Sequence, residues 1–286
     1  MMDIIVGGAI LGAIFSLIAI GLNLQYGVTR ILNIAHGEFL MLGAYVTYLL
    51  FTYFGVNPLV SLAVSGPIVF FIGVLIQLIV FRKLVNLSKS AEELEFRSLL
   101  ACFGLQFIIQ NVVKTLFGAT PIGVAYLNET VPIFGELFKI NMIIAALISI
   151  TISIALYLML RLTRTGLAMR AAVEEPVGAQ LVGINILKIH SLSFGLGVLI
   201  SALAGSMISM IYTNTTPYIG PQYTFIALAV IILGGMGSFI GSLLGGFLIG
   251  YIYYASFKVD PLITMAVVYT FLIIMLILKP KGLLGR

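Results

Sequence analysis

Long apolar runs, interrupted by short polar segments, dominate the chain. Stretches without any Asp, Glu, Lys or Arg cover residues 4–29, 39–81, 140–160, 191–257 and 261–278. Since a membrane-spanning helix needs about 20 apolar residues, the pattern predicts spans near 4–24, 38–54, 58–81, 98–117, 140–160, 190–212, 223–236, 240–257 and 261–278. The expected fold is therefore all-α, a polytopic transmembrane helical bundle of about eight or nine spans that forms a single domain over residues 1–286.

Composition supports a membrane protein and excludes an ordinary soluble domain. Hydrophobic residues make up 61% of the 286 residues and charged residues only 9%, whereas soluble domains carry about 25% charged residues. A membrane β-barrel would instead show alternating segments of about ten residues. The chain has one cysteine, Cys102, and two widely separated histidines, so neither a disulfide framework nor a metal site is expected.

Basic residues cluster in segments beside the predicted spans. Residues 82–97, 161–188 and 279–286 together hold 11 of the 15 Lys and Arg residues. Because positively charged loops remain on the cytoplasmic side, these segments and the C-terminus are predicted to be cytoplasmic. Segments 118–139 and 213–222 are then outside, and the expected location is the cell (inner) membrane, crossed several times.

The region 223–257 must cross the membrane an even number of times. It lies between the outside segment 213–222 and the cytoplasmic C-terminus, and the span near 261–278 supplies one crossing. A break is therefore predicted at Gly234, Gly235 and Gly237, because glycine frees the backbone. Non-helical backbone at membrane depth survives only against protein or a water-filled cavity. We interpret 223–241 as a discontinuous element that helps to line a pathway.

Segment 161–190 is a polar, basic loop within an otherwise apolar chain. Two glutamates precede Pro176, which suits the first helical position, and Gly183 suits a helix end, so a short helix is predicted between them. Such a loop is most simply explained as a docking surface for a soluble partner. The alternative is an amphipathic helix on the lipid surface. The candidate coupling residues are Glu174, Glu175, Ala179, Leu181, Gly183 and Ile184.

Polar residues also gather around the junction of the first two spans: Asn23, Asn33, His36 and Glu38. Ionisable groups at membrane depth are costly and usually face a cavity or a partner. One interpretation is a hydrated re-entrant or gate segment near the substrate route. The other is a turn at the cytoplasmic interface. Together with the glycines of the predicted break, these residues are candidates for the translocation pathway.

A third polar set lies in the span near 98–117. Gln106, Gln110 and Lys114 recur every four residues and so share one helix face. They either line a polar pathway or form hydrogen bonds between helices, with Lys114 reaching outward to the interface.

Small residues also recur every four positions, as at Gly197, Ser201, Gly205 and Ser209. Such ladders let helix backbones approach closely. They indicate packing within the bundle or, as the alternative, an interface with a partner.

Several motifs resemble one known family along nearly the whole chain. They are GLNLQYG at 21–27, NIAHGEF at 33–39, GAY at 43–45, GAQLVGIN at 178–185, LGGMGS at 233–238 with the glycines that follow to 250, and PKGL at 280–283. Together they resemble the permease subunits of ABC importers for branched-chain amino acids. The chain departs from the general coupling pattern of ABC permeases, Glu-Ala-Ala, because Glu174-Glu175-Pro176 stands there.

The resemblance implies a set of partners and a substrate class. An ABC ATPase would contact residues 174–185, a second related permease subunit would complete a heterodimer, and an extracytoplasmic binding protein would deliver leucine, isoleucine or valine. The outer loop 213–222 is a candidate contact for that binding protein, or an ordinary connector. No cofactor is expected in this chain, since ATP would be bound by the partner subunits and no GxxxxGK[ST] motif occurs.

Other functions are weighed against this one. A urea or short-chain amide importer of the same architecture would look similar. An ion-coupled secondary transporter needs coordinating groups near the midplane, and the acidic residues here lie nearly all in loops or at span ends. The chain is not expected to be an enzyme, because the HExxH and GxSxG motifs are absent.

Overall fold

The computed structural model describes residues 2–279 and 282–284. In chain order the helices are α1 (Met2–Thr29), α2 (His36–Phe54), α3 (Pro58–Ile76), α4 (Arg82–Leu87), α5 (Ala91–Phe117), α6 (Ile140–Leu162), α7 (Arg164–Glu174), α8 (Pro176–Leu181), α9 (Ile186–Ile211), α10 (Gly220–Gly234), α11 (Phe239–Val259) and α12 (Thr264–Leu278). A π-helical turn, Gln77–Phe81, joins α3 to α4 in one continuous span. Strands β1 (Thr130–Ile133) and β2 (Glu136–Lys139) form an antiparallel hairpin.

The predicted polytopic helical bundle is confirmed. Seven helices of the described residues are long and apolar enough to cross a membrane, and α10 and α12 are shorter apolar helices. Pro280 and Lys281 of the C-terminal motif, and the basic residue Arg286, lie outside the described residues.

Helices α1 and α9 form the centre of the bundle. In their most apolar stretches 78% and 83% of the residues are buried, compared with 17% in α5. Small residues allow the close approach: a Cβ on Gly205 would overlap the carbonyl of Leu40, and a Cβ on Gly43 would overlap the backbone of Ala202. This ladder therefore packs inside the bundle, as the first interpretation expected.

The two ends of the bundle differ, and we name them by what they carry. The hairpin face holds the β-hairpin and the segment between α9 and α10. The loop face holds α7, α8 and the turn between α10 and α11. Helices α1 and α11 run antiparallel between the faces, with Asp3 paired to Lys258 at the hairpin face and Asn23 bonded to Ser242 near the loop face.

Helices α2 and α10 begin inside the bundle. The hydroxyl of Ser201, in the middle of α9, donates to the carbonyl of His36 at 2.9 Å. The amide of Gly37 donates to Thr224 Oγ1 at 2.8 Å, so the first turns of α2 and α10 meet at this depth. The connection from α1 to α2 is largely buried, which favours the re-entrant interpretation over a surface turn.

The predicted break in the glycine-rich region is confirmed. Helix α10 ends at Gly234 and α11 begins at Phe239, and the chain reverses between them. Gly235 and Gly237 have φ angles of 100° and 85°, which L-residues rarely adopt. A Cβ on either Gly234 or Gly241 would overlap the other's carbonyl, so glycines also let the two helices meet closely.

Local features that hydropathy did not predict appear in the connections. The β-hairpin lies within the segment expected to be an outer loop, and Ile122 pairs with Thr215 in an isolated bridge. Segment 161–190 contains α7 as well as the predicted short helix. Thr163 caps α7 by accepting a hydrogen bond from the amide of Gly166 at 3.1 Å, a helix start that sequence inspection missed.

Candidate functional site: the coupling loop and the polar centre

The short helix of segment 161–190 begins and ends at the predicted residues. Pro176 occupies the first turn of α8, where its missing N–H costs nothing. Gly183 has a φ angle of 88° and its amide donates to the carbonyl of Gln180 at 3.0 Å. The amide of Ile184 donates to the carbonyl of Ala179 at 2.9 Å, which closes the helix end.

The candidate coupling residues divide between two sides of this helix. Leu181 is 85% exposed, and Val177 and Val182 beside it are 65% and 77% exposed. Ala179 is only 4% exposed and supports the helix against the bundle. An apolar ridge of Val177, Leu181 and Val182 therefore faces away from the bundle, and Val182 was not among the candidates although its apolar character beside Gly183 could have indicated it.

The remaining members of the predicted set flank this ridge. Glu174 and Glu175 are exposed at the junction of α7 and α8, and Gly183 is exposed at the turn. Ile184 is half-buried and packs against the core. The loop face thus presents carboxylates on one side of the ridge and a glycine turn on the other.

A buried chain of hydrogen bonds joins α1 to the start of α2. Asn33 Nδ2 donates to Gln25 Oε1 at 2.9 Å, and Gln25 Nε2 lies 3.1 Å from His36 Nδ1. Because an amide nitrogen only donates, His36 Nδ1 accepts and the ring proton is on Nε2, 3.1 Å from the carbonyl of Ile18. The imidazole is therefore neutral, and Asn33 and His36 hold the re-entrant connection.

Asn23 holds the glycine break. Its Oδ1 accepts from the amide of Gly237 at 2.7 Å. Its Nδ2 donates to the carbonyl of Ser238 and to the hydroxyl of Ser242, both at 2.8 Å. Sequence inspection singled out Asn23 and Gly237 separately, and the structure brings them together. The amide side chain supplies the hydrogen bonds that a turn with glycines cannot make for itself.

Glu38 lies where the first turns of α2 and α10 meet. Its side chain is 1% exposed, and within the described residues neither carboxylate oxygen has a hydrogen-bond partner. Gly220, the first residue of α10, is next to it: a Cβ there would lie 2.5 Å from Glu38 Oε1. Gly220 was not among the candidate residues, although the Gly-Pro pair at 220–221 is a helix-start signal.

Gln106 and Gln110 lie on α5, away from the network of Asn33 and His36. Both are half-buried. Helix α5 touches α2 at two levels, where Cys102 lies against the backbone of Ala35 and where Phe117 packs 5.1 Å from the ring of Tyr45. The two glutamines lie between those contacts on α5, and Glu38 lies between them on α2.

The segment between α9 and α10 dips into the bundle. Thr215 and Ile122 exchange backbone hydrogen bonds of 2.8 Å, and Pro217 is buried. Tyr218 is 49% exposed, and the Lys114 ammonium lies 5.8 Å from its ring centroid. Lys114 therefore reaches the hairpin face, as expected for the lysine of this polar set.

Comparison with known proteins places the chain in one family. Residues 4–278 match the family described as "Branched-chain amino acid transport system / permease component". LivH of Escherichia coli (strain K12), a high-affinity branched-chain amino acid transport system permease protein, is 28% identical over 98% of this chain and 94% of its own length. The probable branched-chain amino acid transport permease protein LivH of Methanocaldococcus jannaschii is 30% identical over 86% of this chain and 78% of its own length.

A solved structure supports the fold. PsaBC from Streptococcus pneumoniae in complex with Fab matches with a TM-score of 0.51 and 13% identity, over 97% of this chain and 92% of the matched chain. The likeness concerns the fold alone. With the family match over nearly the whole length, the chain belongs to the permease components of branched-chain amino acid transport systems.

Proposed function

We propose that this protein is the membrane permease subunit of an ABC importer that carries leucine, isoleucine and valine. Support for the substrate comes from relatives named as branched-chain amino acid permeases, which align along nearly the whole chain. The structural observation that carries the coupling role is the uncovered apolar ridge Val177, Leu181 and Val182, on the loop face beside the exposed carboxylates of Glu174 and Glu175. A soluble ATPase would bury that ridge, since such a patch between charged residues is typical of a protein contact.

Force from the ATPase would enter the bundle through α8. Ala179 packs inward, and the turn at Gly183 leads within three residues into α9, whose most apolar stretch is 83% buried. Helix α9 in turn touches α2 at the Ser201–His36 hydrogen bond. A displacement of α8 would therefore reach the junction where α2 and α10 begin.

The proposed translocation pathway runs beside this junction. Helix α5 is the least buried long helix, and half-buried glutamines at membrane depth are costly unless a partner or water meets them. We place Gln106 and Gln110 on the wall of the pathway. Asn23, Asn33 and His36, together with the glycine break, position α2 and α10 next to it.

The partners follow from the two faces of the bundle. The basic loop face and the C-terminus would be cytoplasmic and would meet the ATPase. The hairpin face would receive the extracytoplasmic binding protein. A second, related permease subunit would complete the pathway, and ATP would be bound by the ATPase subunits.

Reconstitution tests this function. The chain would be coexpressed with a candidate second permease, the ATPase and the binding protein, and incorporated into proteoliposomes. We expect uptake of radiolabelled leucine that requires internal ATP and the binding protein, with no ATP hydrolysis by the purified chain alone. Uptake of urea in place of leucine would favour the amide importer, and uptake driven by an ion gradient without ATP would contradict the proposal.

A further inference from the structure

Glu38 differs from every other acidic residue of the chain. The other acidic side chains are at least partly exposed, except Asp3, which is paired with Lys258. Glu38 is 1% exposed, and among the described residues its two carboxylate oxygens accept no hydrogen bond. A buried carboxylate without partners is strongly unfavourable. The nearby polar side chains of Gln25 and His36 do not stabilise the Glu38 carboxylate, because they bond to one another instead.

The N-terminus of α10, which lies beside Glu38, also lacks a capping side chain among the described residues. The first N–H groups of a helix lack partners within the helix. This end of the 15-residue helix lies inside the bundle, with Gly220 directly against the Glu38 carboxylate. Helix N-termini at such positions bind anionic groups, because their N–H groups and dipole point at the ligand.

The two features together select the chemistry of a ligand. A simple cation would be attracted by Glu38 and repelled by the positive end of α10. A simple anion would be attracted by α10 and repelled by Glu38. A group that carries both charges a few ångströms apart satisfies both, since an ammonium donates to a carboxylate and a carboxylate accepts from helix N–H groups.

We propose that Glu38 and the N-terminus of α10 form an intramembrane site for the zwitterionic head of the transported amino acid. Glu38 receives the α-ammonium group. The N–H groups of Gly220, Gln222 and Tyr223 in the first turn of α10 receive the α-carboxylate, since Pro221 has no N–H. This inference rests on the proposed function and names the residues that meet the substrate between the two faces of the membrane.

The two parts of this site are in direct contact in the structure, so a ligand requires them to separate. A Cβ on Gly37 would overlap the carbonyl of Gly220, so α2 and α10 are packed directly against each other. Helix α5, loosely packed, covers α2 between its contacts with Ala35 and Tyr45. A movement of α10 or α5 opens the space, and the Tyr45 hydroxyl, two turns from Glu38 on the same face and also without a partner in the described chain, adds a polar group to it.

Transport by variants of the full complex tests the site. Glu38→Gln keeps the size of the side chain and removes the charge, and Glu92→Gln removes a charge from an exposed position. We expect Glu38→Gln to lower leucine uptake at subsaturating concentration at least tenfold, and Glu38→Asp to retain part of it. Glu92→Gln should transport like the wild type. Equal uptake by Glu38→Gln and Glu92→Gln would overturn the site.

Substrate analogues separate ligand binding from a purely structural role. Saturation-transfer NMR on the permease–ATPase complex in proteoliposomes, without binding protein, would compare leucine with 4-methylpentanoate, which lacks the ammonium group. The wild type should prefer leucine, and Glu38→Gln should lose most of that preference. An unchanged preference in a folded Glu38→Gln complex would overturn the proposal. Absence of leucine uptake by the wild-type complex would instead contradict the proposed function.

Discussion

At the scale of single residues, missing side chains decide how closely the central helices approach. Gly205 and Gly43 lie where any Cβ would meet the backbone of a neighbouring helix. At Gly104, on the exposed side of α5, a Cβ would meet no atom within 4 Å. Gly205 and Gly43 are therefore required for packing, whereas Gly104 only lowers the stability of its helix.

We therefore expect only Gly205→Ala, and not Gly104→Ala, to destabilise the protein. Gly205→Ala should lower the free energy of unfolding by about 1–3 kcal/mol through overpacking. Gly104→Ala should be neutral or stabilising by up to about 1 kcal/mol. A thiol-reactive fluorophore measures the unfolding midpoint of each variant in detergent, because Cys102 is the one cysteine and is fully buried until unfolding. Equal midpoints for the two variants would contradict this account of the packing.

At the scale of elements, two helix breaks organise the polar residues. One break lets α2 begin at mid-depth after the buried network of Gln25, Asn33 and His36. The other reverses the chain after α10, where Asn23 replaces the missing backbone partners. In both, an amide side chain of α1 stabilises irregular backbone. The first break is buried in the bundle, as irregular backbone at membrane depth must be, whereas the second lies at the loop face, where Met236 and Gly237 are exposed.

Removal of the Asn23 side chain should therefore destabilise the glycine break. Asn23→Ala removes the acceptor of the exposed Gly237 amide and one donor to the Ser238 carbonyl, which keeps its bond from the Ser242 amide. We expect a loss of about 0.5–1.5 kcal/mol in the free energy of unfolding for each lost hydrogen bond. The exposed Asn86 provides the control, because Asn86→Ala loses no such contact. The Cys102 fluorophore assay checks the difference. An unfolding midpoint for Asn23→Ala equal to that of Asn86→Ala would show that the Asn23 side chain does not stabilise the turn.

The second prediction at this scale concerns the apolar ridge of Val177, Leu181 and Val182. Leu181→Gln should leave the fold unchanged, since the side chain is 85% exposed, and should weaken the link between ATP hydrolysis and leucine uptake in the reconstituted complex. Leu262→Gln, at 92% exposure on the hairpin face, is the matched control. Normal uptake per ATP hydrolysed in Leu181→Gln would exclude the ridge from coupling.

At the scale of the whole molecule, the chain has two unlike faces whose sidedness is a prediction from the basic residues. Met236 is 42% exposed at the turn of the loop face, and Asn214 is exposed at the hairpin face. We expect a membrane-impermeant maleimide to label Asn214→Cys in whole cells and Met236→Cys only in inverted vesicles, in a Cys102→Ser background. Labelling of both from the same side would refute the proposed orientation.

The sequence by itself determined the class of protein and most of its spans. Hydropathy measures the free energy of transfer into lipid, which depends on local composition, so the number and length of apolar helices follow from it. Helix ends set by local chemistry were also predicted correctly: Pro176 begins α8, Gly183 ends it, and the glycines at 234–237 interrupt the chain. The requirement that residues 223–257 cross the membrane an even number of times also predicted that the chain reverses at these glycines.

Only the tertiary structure decided which polar residues are bonded and which are free. Asn23 bonds to Gly237, which lies 214 positions further along the chain. Glu38, in the first turn of α2, contacts Gly220 at the start of α10. No local pattern carries those distances. Whether a polar side chain at membrane depth finds a hydrogen-bond partner depends on the neighbours that packing brings to it. Asn23 and His36 are therefore held in networks, while buried Glu38 has no hydrogen-bond partner in the part of the chain that the structure describes.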